Sequence, residues 1–373
     1  MKLLKWLLLL LFALILFGLA GIKLTLGGGS AYPDVSTTPT VPAARVSTPI
    51  ELPYPSGMVA SSPDGRIFYT YHSLHQPERF SDATVFEWID GQGVPFPSAD
   101  VQPELIGSMG ITIDHQNRFW IVIPAASGNR LLAFDMDSRE MLIEHTFAEG
   151  INFAQDMRVS RDGNTVYLAD TGLLTVTPAQ LIVFDVPTLT ARRVLIDHPS
   201  TRPQDWVIRN TDGSDYRVLG GLITVKIGVD GIALSDDDQW IYYGAISHDS
   251  AYRIPTSALL DAALSPEDLS ASIELLGKKP LSDGIELLPD NTLILTDIEN
   301  GGIASLSPDG QLTTLVRRLP EIDWADSVTV QPDGTIWFTD SRLADLANPL
   351  GDPADKETLA SGAPYYIYRV EAL

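Results

Sequence analysis

The sequence predicts an all-β protein, a six-bladed β-propeller, and three observations carry that expectation. One short pattern recurs six times after residue 50; each copy is followed five to seven residues on by a tight-turn signal; and each turn leads into a strand rich in aromatic and β-branched residues. Taking the second residue of each copy, the repeats start at 57, 110, 157, 231, 284 and 327, which are 53, 47, 74, 53 and 43 residues apart. Those intervals suit a four-stranded blade. A β-sandwich would not repeat one hairpin signal six times.

At the amino terminus, Lys2 and Lys5 precede an apolar run from Trp6 to Ile22 that meets no charge until Lys23. That charge order keeps the basic end in the cytoplasm, so the chain beyond Lys23 is expected to be exported, to the periplasm or the extracellular space. The run of 17 residues is long for a signal-peptide core and just short of a comfortable span, and no small-x-small cleavage site follows it. Residues 1–23 are therefore read as either a cleaved signal or a retained membrane anchor. Residues 24–49, with Gly27-Gly28-Gly29-Ser30 and then Ser36, Thr37, Thr38, Pro39, Thr40 and Pro42, read as a linker holding the folded part away from the bilayer. Residues 50–373 form the propeller, whose closing strand is expected from Arg45 to Leu52 or from Tyr365 to Val370.

The six copies are Ser56-Gly57-Met58-Val59-Ala60, Met109-Gly110-Ile111-Thr112-Ile113, Asp156-Met157-Arg158-Val159, Asp230-Gly231-Ile232-Ala233-Leu234, Asp283-Gly284-Ile285-Glu286-Leu287 and Asp326-Ser327-Val328-Thr329-Val330. Their turns are Asp64-Gly65, Gln116-Asn117, Asp162-Gly163, Asp237-Asp238, Asp290-Asn291 and Asp333-Gly334, residue types that accept the positive φ of a tight hairpin. The long third interval predicts an extra loop or hairpin on one face, around Arg202 to Val225.

In a propeller the innermost strand of each blade lines the central channel, so the residues opening those strands converge at one channel mouth. Read in order they are Ser56, Met109, Asp156, Asp230, Asp283 and Asp326, four of them carboxylates. Like charges this crowded must be solvated, partly protonated, paired with cations or bound to a metal, and hard oxygen donors suit calcium or another divalent cation. Three roles stay open: fixing turns by accepting backbone N–H groups, binding an organic ligand, or holding a metal through Asp156, Asp230 and Asp283. Phe153 and Trp324, just ahead of two inner strands, are candidate aromatic walls for an amine-bearing ligand.

The segment Gly228 to Ser235, continued by Ile241-Tyr242-Tyr243 and Tyr252 to Leu259, resembles the yellow/major royal jelly protein family. Three more segments share the likeness: Ile151 to Asp170, Ser282 to Ile285, and Leu295 to Asn300. The resemblance spans roughly residues 50 to 370. It implies a secreted six-bladed propeller, of a type often labelled in bacteria as related to dopachrome tautomerase, with some insect salivary members acting as carriers of biogenic amines. A more distant similarity is to the gluconolactonase and senescence-marker lactone hydrolases, which hold a divalent cation on blade-opening residues. By motif, Asp156, Asp230 and Asp283 take the comparable third, fourth and fifth openings, with Ser56 where those enzymes carry a glutamate.

Composition removes other classes. The chain of 373 residues has 25 basic and 48 acidic side chains and a net charge of −23, which argues against binding nucleic acid or anionic lipid by charge. With no cysteine there are no disulfides, thiolate metal sites or lipoprotein acylation. No G-x-S-x-G elbow, H-E-x-x-H, Walker loop or G-x-G-x-x-G occurs. The expectation is a monomer binding a small cationic or aromatic molecule at the channel mouth, with a metal-dependent lactone hydrolase or a protein-binding scaffold as alternatives; the sequence does not decide whether it is an enzyme. Export is tested by a carboxy-terminal fusion to a reporter active only outside the cytoplasm: it should give signal, and signal only from a cytoplasm-dependent reporter would overturn the assignment.

Overall fold

The six hairpin turns anchor the architecture. Each is closed by the same pair of backbone hydrogen bonds, as where Gly65 N–H donates to Ser62 O and Ser62 N–H to Arg66 O. Each also holds one residue at positive φ: Gly65, Asn117, Gly163, Asp238, Asn291 and Gly334. The side chains that sequence reasoning placed in the turns are therefore those the backbone requires.

The computed structural model describes residues 2–125, 127–172, 175–319, 321–346 and 356–372; the side chains of Lys2 and Leu3 lie outside that description. Six four-stranded antiparallel sheets make the blades of a six-bladed β-propeller. Their inner strands are Ser56–Ser61, Ile111–Ile113, Ala154–Val159, Val229–Leu234, Ile285–Leu287 and Ala325–Val330. Apolar clusters fill the spaces between neighbouring blades; one, for example, joins Trp120 and Val122 of blade two to Met157, Leu168 and Phe184 of blade three.

Both candidate closing segments enter the sixth blade. Its strands run Ala325–Val330, Ile336–Asp340, Tyr365–Val370 and, outermost, Val46–Leu52, with Ile50 opposite Ile367 and Leu52 opposite Tyr365. The first propeller strand in sequence thus completes the last blade, and closure leaves the ring no free joint.

Residues 24–49 differ from the free linker expected of their composition. Ser30–Ala31 pairs in parallel with Trp206–Val207. Tyr32 is buried, and its hydroxyl donates to Lys279 O at 2.7 Å. Farther on, Thr37 N–H donates to Thr314 Oγ1 at 2.8 Å, and Val41 is buried against the fifth and sixth blades. Small and polar residues serve here because the segment lies flat over backbone groups it must satisfy. The long third interval is an insertion as expected, with a hairpin of Arg217–Val218 and Ile223–Thr224.

Glycine at the second pattern position is required by close approach at the ring's centre. A Cβ on Gly284 would meet Asp326 O at 2.4 Å, and one on Gly231 would meet Asp283 O at 2.7 Å. Backbone cannot yield as a side-chain tip can, so Gly284→Ala should destabilise the ring by about 1–3 kcal/mol. Gly28→Ala, where nothing lies within 4 Å, should stay within about 0.5 kcal/mol. Thermal melts of the two variants check this, and equal melting temperatures would contradict the close-approach argument.

Candidate functional site

The inner strands do more than line the channel. In blades three, four and six the register slips at the pattern's opening, between Ala154 and Asp156, Val229 and Ile232, and Ala325 and Val328. A bulge bends the strand and re-aims a side chain, and here it coincides with Asp156, Asp230 and Asp326. A threonine on the second strand pins the backbone at the pattern's opening in blades five and six: Thr296 Oγ1 accepts from Asp283 N–H at 3.0 Å and Gly284 N–H at 3.1 Å, and Thr339 Oγ1 accepts from Ser327 N–H at 3.0 Å.

The four aspartates do converge, and all are buried. Burial first, and then the charges of Asp283 and Asp156, push the Asp230 carboxyl well above its ordinary range. Asp326 is raised by burial and then by Asp283. Asp283 is raised by burial to about 6, with the Trp324 indole acting against the shift. Asp230 Oδ2 meets no N–H or hydroxyl donor, and the side chain's hydrogen-bond partner is the Asp283 carboxyl. Two carboxyls bonded to each other are stable only with a proton between them. The cluster is therefore a proton-sharing group.

It lies buried beneath a cover, not at an open channel mouth as expected from the strand order. An apolar cap covers it, built from the insertion (Ile208, Tyr216, Val218, Ile223), from Tyr32 and from Trp324. Trp324 is 1% exposed; its ring stands 5.1 Å from that of Tyr216, and its Nε1–H donates to Asp283 Oδ2 at 2.7 Å. It thus belongs to the candidate site, as the sequence suggested. Phe153 does not: it packs against the core between blades two and three, its N–H bonded to Asp170 Oδ1 at 2.8 Å. Its place before an inner strand was a misleading cue, because the strand's entry turns it outward.

Two residues join the site that the sequence did not flag. His72, buried after the second strand of blade one, accepts Leu74 N–H on Nδ1, and its Nε2 stands 3.7 Å from Asp326 Oδ2, beyond hydrogen-bond range. Burial and neighbouring His75 hold it neutral, down to about 3. Lys279 is fully buried; its ammonium donates to Pro280 O at 3.1 Å and is lowered to about 7 by burial, against the pull of Asp249, Asp283 and Asp297. Neither sits in a repeated position, so only the fold brings them to the site. His248 is buried too, but its Nδ1 accepts Ser250 N–H, a loop-fixing contact.

The turn-fixing role weighed for the ring aspartates is met in part by Asp156, whose Oδ1 accepts Met157 N–H at 2.7 Å, and more fully by aspartates elsewhere. Asp170, at the end of a second strand, accepts the N–H groups of Asn152, Phe153 and Gly172, and Asp340 accepts those of Trp324 and Arg342.

On the hairpin side the channel opens as a cavity of about 480 Å³. Its inner end carries Asp156, Arg158 and Glu286. Arg158 spans from blade three to blade five, donating to Asp156 Oδ1 at 2.9 Å, to Ile285 O at 3.0 Å and to Glu286 Oε2 at 3.1 Å. Of the four aspartates only Asp156 lines this cavity, where it is paired with Arg158. Ser56, at the first opening, turns its hydroxyl to Thr70 O at 3.2 Å.

The residues do not fit a metal ion as they stand. Asp156 is committed to Arg158 and Met157 N–H, and Asp283 to the Trp324 indole, which leaves unpartnered oxygens on Asp230 and Asp326. Among the described residues no three histidines or carboxylates are grouped as ligands.

Comparison with solved structures gives propellers of the gluconolactonase type. A gluconolactonase from Xanthomonas campestris superposes with a TM-score of 0.56 at 13% identity, over 92% of this chain and 97% of that one. The likeness is one of fold. A gluconolactonase candidate follows at 0.54, 12% identity and the same coverage of each chain. A luciferin-regenerating enzyme gives 0.50 at 11% identity, over 88% of this chain and 95% of its own. No family model matches the sequence, and no curated protein is similar to it.

The proton-sharing cluster makes stability depend on pH with a definite sign. A carboxyl raised above its unfolded value lends its stability in full below that value and loses it as pH climbs through the folded one. Asp230→Asn removes this loss while keeping the shape. The melting temperature of the variant relative to the parent should therefore rise as pH climbs above the unfolded carboxyl value of about 4. A difference that does not change with pH would show that Asp230 is ionised in the folded chain.

Proposed function

We propose that the protein is an exported hydrolase of small cyclic esters, of lactone type, with the coupled carboxylates beneath the cap as its acid–base centre. What carries this reading is the buried pair Asp230 and Asp283, with burial and the neighbouring carboxyl pushing Asp230 well above the ordinary carboxylate range and burial raising Asp283 to about 6. Near neutral pH such a pair supplies both halves of ester hydrolysis. Ionised Asp283 takes a proton from water as its oxygen bonds to the ester carbonyl carbon. Protonated Asp230 gives its proton to the ring oxygen as the carbon–oxygen bond breaks, leaving a hydroxy acid. Trp324 holds Asp283 through its indole N–H, and neutral His72 lies beside Asp326. The fold shared with gluconolactonase-type propellers supports the substrate class by analogy.

The resemblance to yellow and major royal jelly proteins supports a second reading, a binder of cationic aromatic amines. The aromatic pair Tyr216 and Trp324 next to carboxylates favours it. One experiment separates the two. Turnover of a panel of lactones should appear without added metal, persist with a chelator, and fall by roughly 100-fold or more in Asp283→Asn with the melting temperature kept. Activity should decline below about pH 6, where Asp283 takes up its proton. Loss of turnover on chelation would restore a metal-dependent mechanism. No turnover, with calorimetric binding of an aromatic amine that Asp283→Asn abolishes, would establish the binder.

A further inference from the structure

We propose that the amino-terminal helix is retained and that the capped face of the propeller rests on the bilayer, with the open end of the channel turned to the aqueous compartment. The helix, Lys2–Leu26, contains a stretch of 23 residues apolar enough to cross a membrane, and its most apolar part is not buried against the rest of the protein. Its carboxy-terminal end, by contrast, is seated. Lys23 Nζ donates to Gly221 O, Arg217 donates to Gly27 O at 2.8 Å, and a Cβ on Gly27 would meet Leu222 O at 2.5 Å. The next residues pair with Trp206–Val207 in the cap. A leader destined for removal has no need of a seat on the folded domain. With this one, no slack chain separates bilayer from cap.

The seat fixes which face meets lipid. The insertion hairpin ends in Leu219-Gly220-Gly221-Leu222, with Leu219 exposed beside the helix end. Val176 is 70% exposed, on a connection between second and third strands, which emerges on the same face. Exposed apolar side chains also occur on blade edges, Leu275 among them; what sets the capped face apart is that the helix leaves from it. Both faces carry exposed carboxylates that no lysine or arginine pairs with among the described residues, Glu149, Asp212 and Glu321 on the capped face and Asp64, Asp237, Asp290 and Asp333 at the hairpin turns. It is therefore the seat of the helix, and not a difference in charge, that turns this face to lipid.

The absence of native cysteine makes the test clean. Single cysteines replacing Leu219, Val176, Asp237 or Asp333 in the full chain, labelled with an environment-sensitive fluorophore and reconstituted in phosphatidylcholine–phosphatidylglycerol vesicles, report the depth of each position. Nitroxide-bearing lipid should cause a loss of fluorescence at 219 and 176, while iodide should quench 237 and 333. Equal iodide quenching at all four positions would overturn the proposal in favour of a freely swinging domain. So would protection at 219 in detergent without lipid, which would assign the face to a second copy of the chain. A mature chain from cells whose mass lacks the helix would overturn it outright.

Discussion

The closeness of inner strands about the channel axis is the constraint from which the rest follows. Gly284 N–H donates to Asp326 O at 2.7 Å across the fifth and sixth blades, a contact that leaves no space for a side chain on the glycine. Narrowing the axis in this way brings blade-opening residues from opposite sides of the ring together. Because those residues are aspartates, geometry that stabilises the ring also concentrates charge. The cap then shields them from bulk solvent, and the inexpensive response is for carboxyls to keep their protons. Ring packing and acid–base character are thus two aspects of one arrangement.

That arrangement divides the channel into two compartments with different electrostatics. Beneath the cap, carboxyls share protons next to Trp324, Tyr216 and a buried ammonium on Lys279. On the open side, Arg158 is held by Asp156 and Glu286 and closes the inner end of a polar cavity. Asp156 touches both: it raises Asp230 through space and is itself neutralised in part by Arg158. A ligand arriving from the open side would meet the guanidinium first, and changes in that ion pair would be felt by Asp230 through Asp156.

Much of the fold was legible because its information is local and repeated. A turn such as Asp290-Asn291 needs positive φ wherever it occurs, and six such turns at blade-length intervals leave few architectures. The convergence of Asp156, Asp230, Asp283 and Asp326 followed from topology alone. What could not be read was set by contacts distant in sequence. Nothing in Arg202 to Val225 announces that Tyr216 will stack near Trp324, and nothing near Ser30 announces a parallel bridge to Trp206. His72 and Lys279 occupy no repeated position, so no periodicity marks them. Phe153 shows the converse error, a suggestive position whose backbone turns the ring into the blade interface.

Val46–Leu52 is synthesised before five whole blades, yet its neighbour in the sheet, Tyr365–Val370, is synthesised after them. Until then the first strand has no partner and the ring stays open, so five blades of exposed edge must be kept from pairing with other chains. A chain lacking Tyr365–Val370 leaves that strand without its partner, so the seam of the propeller ties closure of the ring to the presence of every blade.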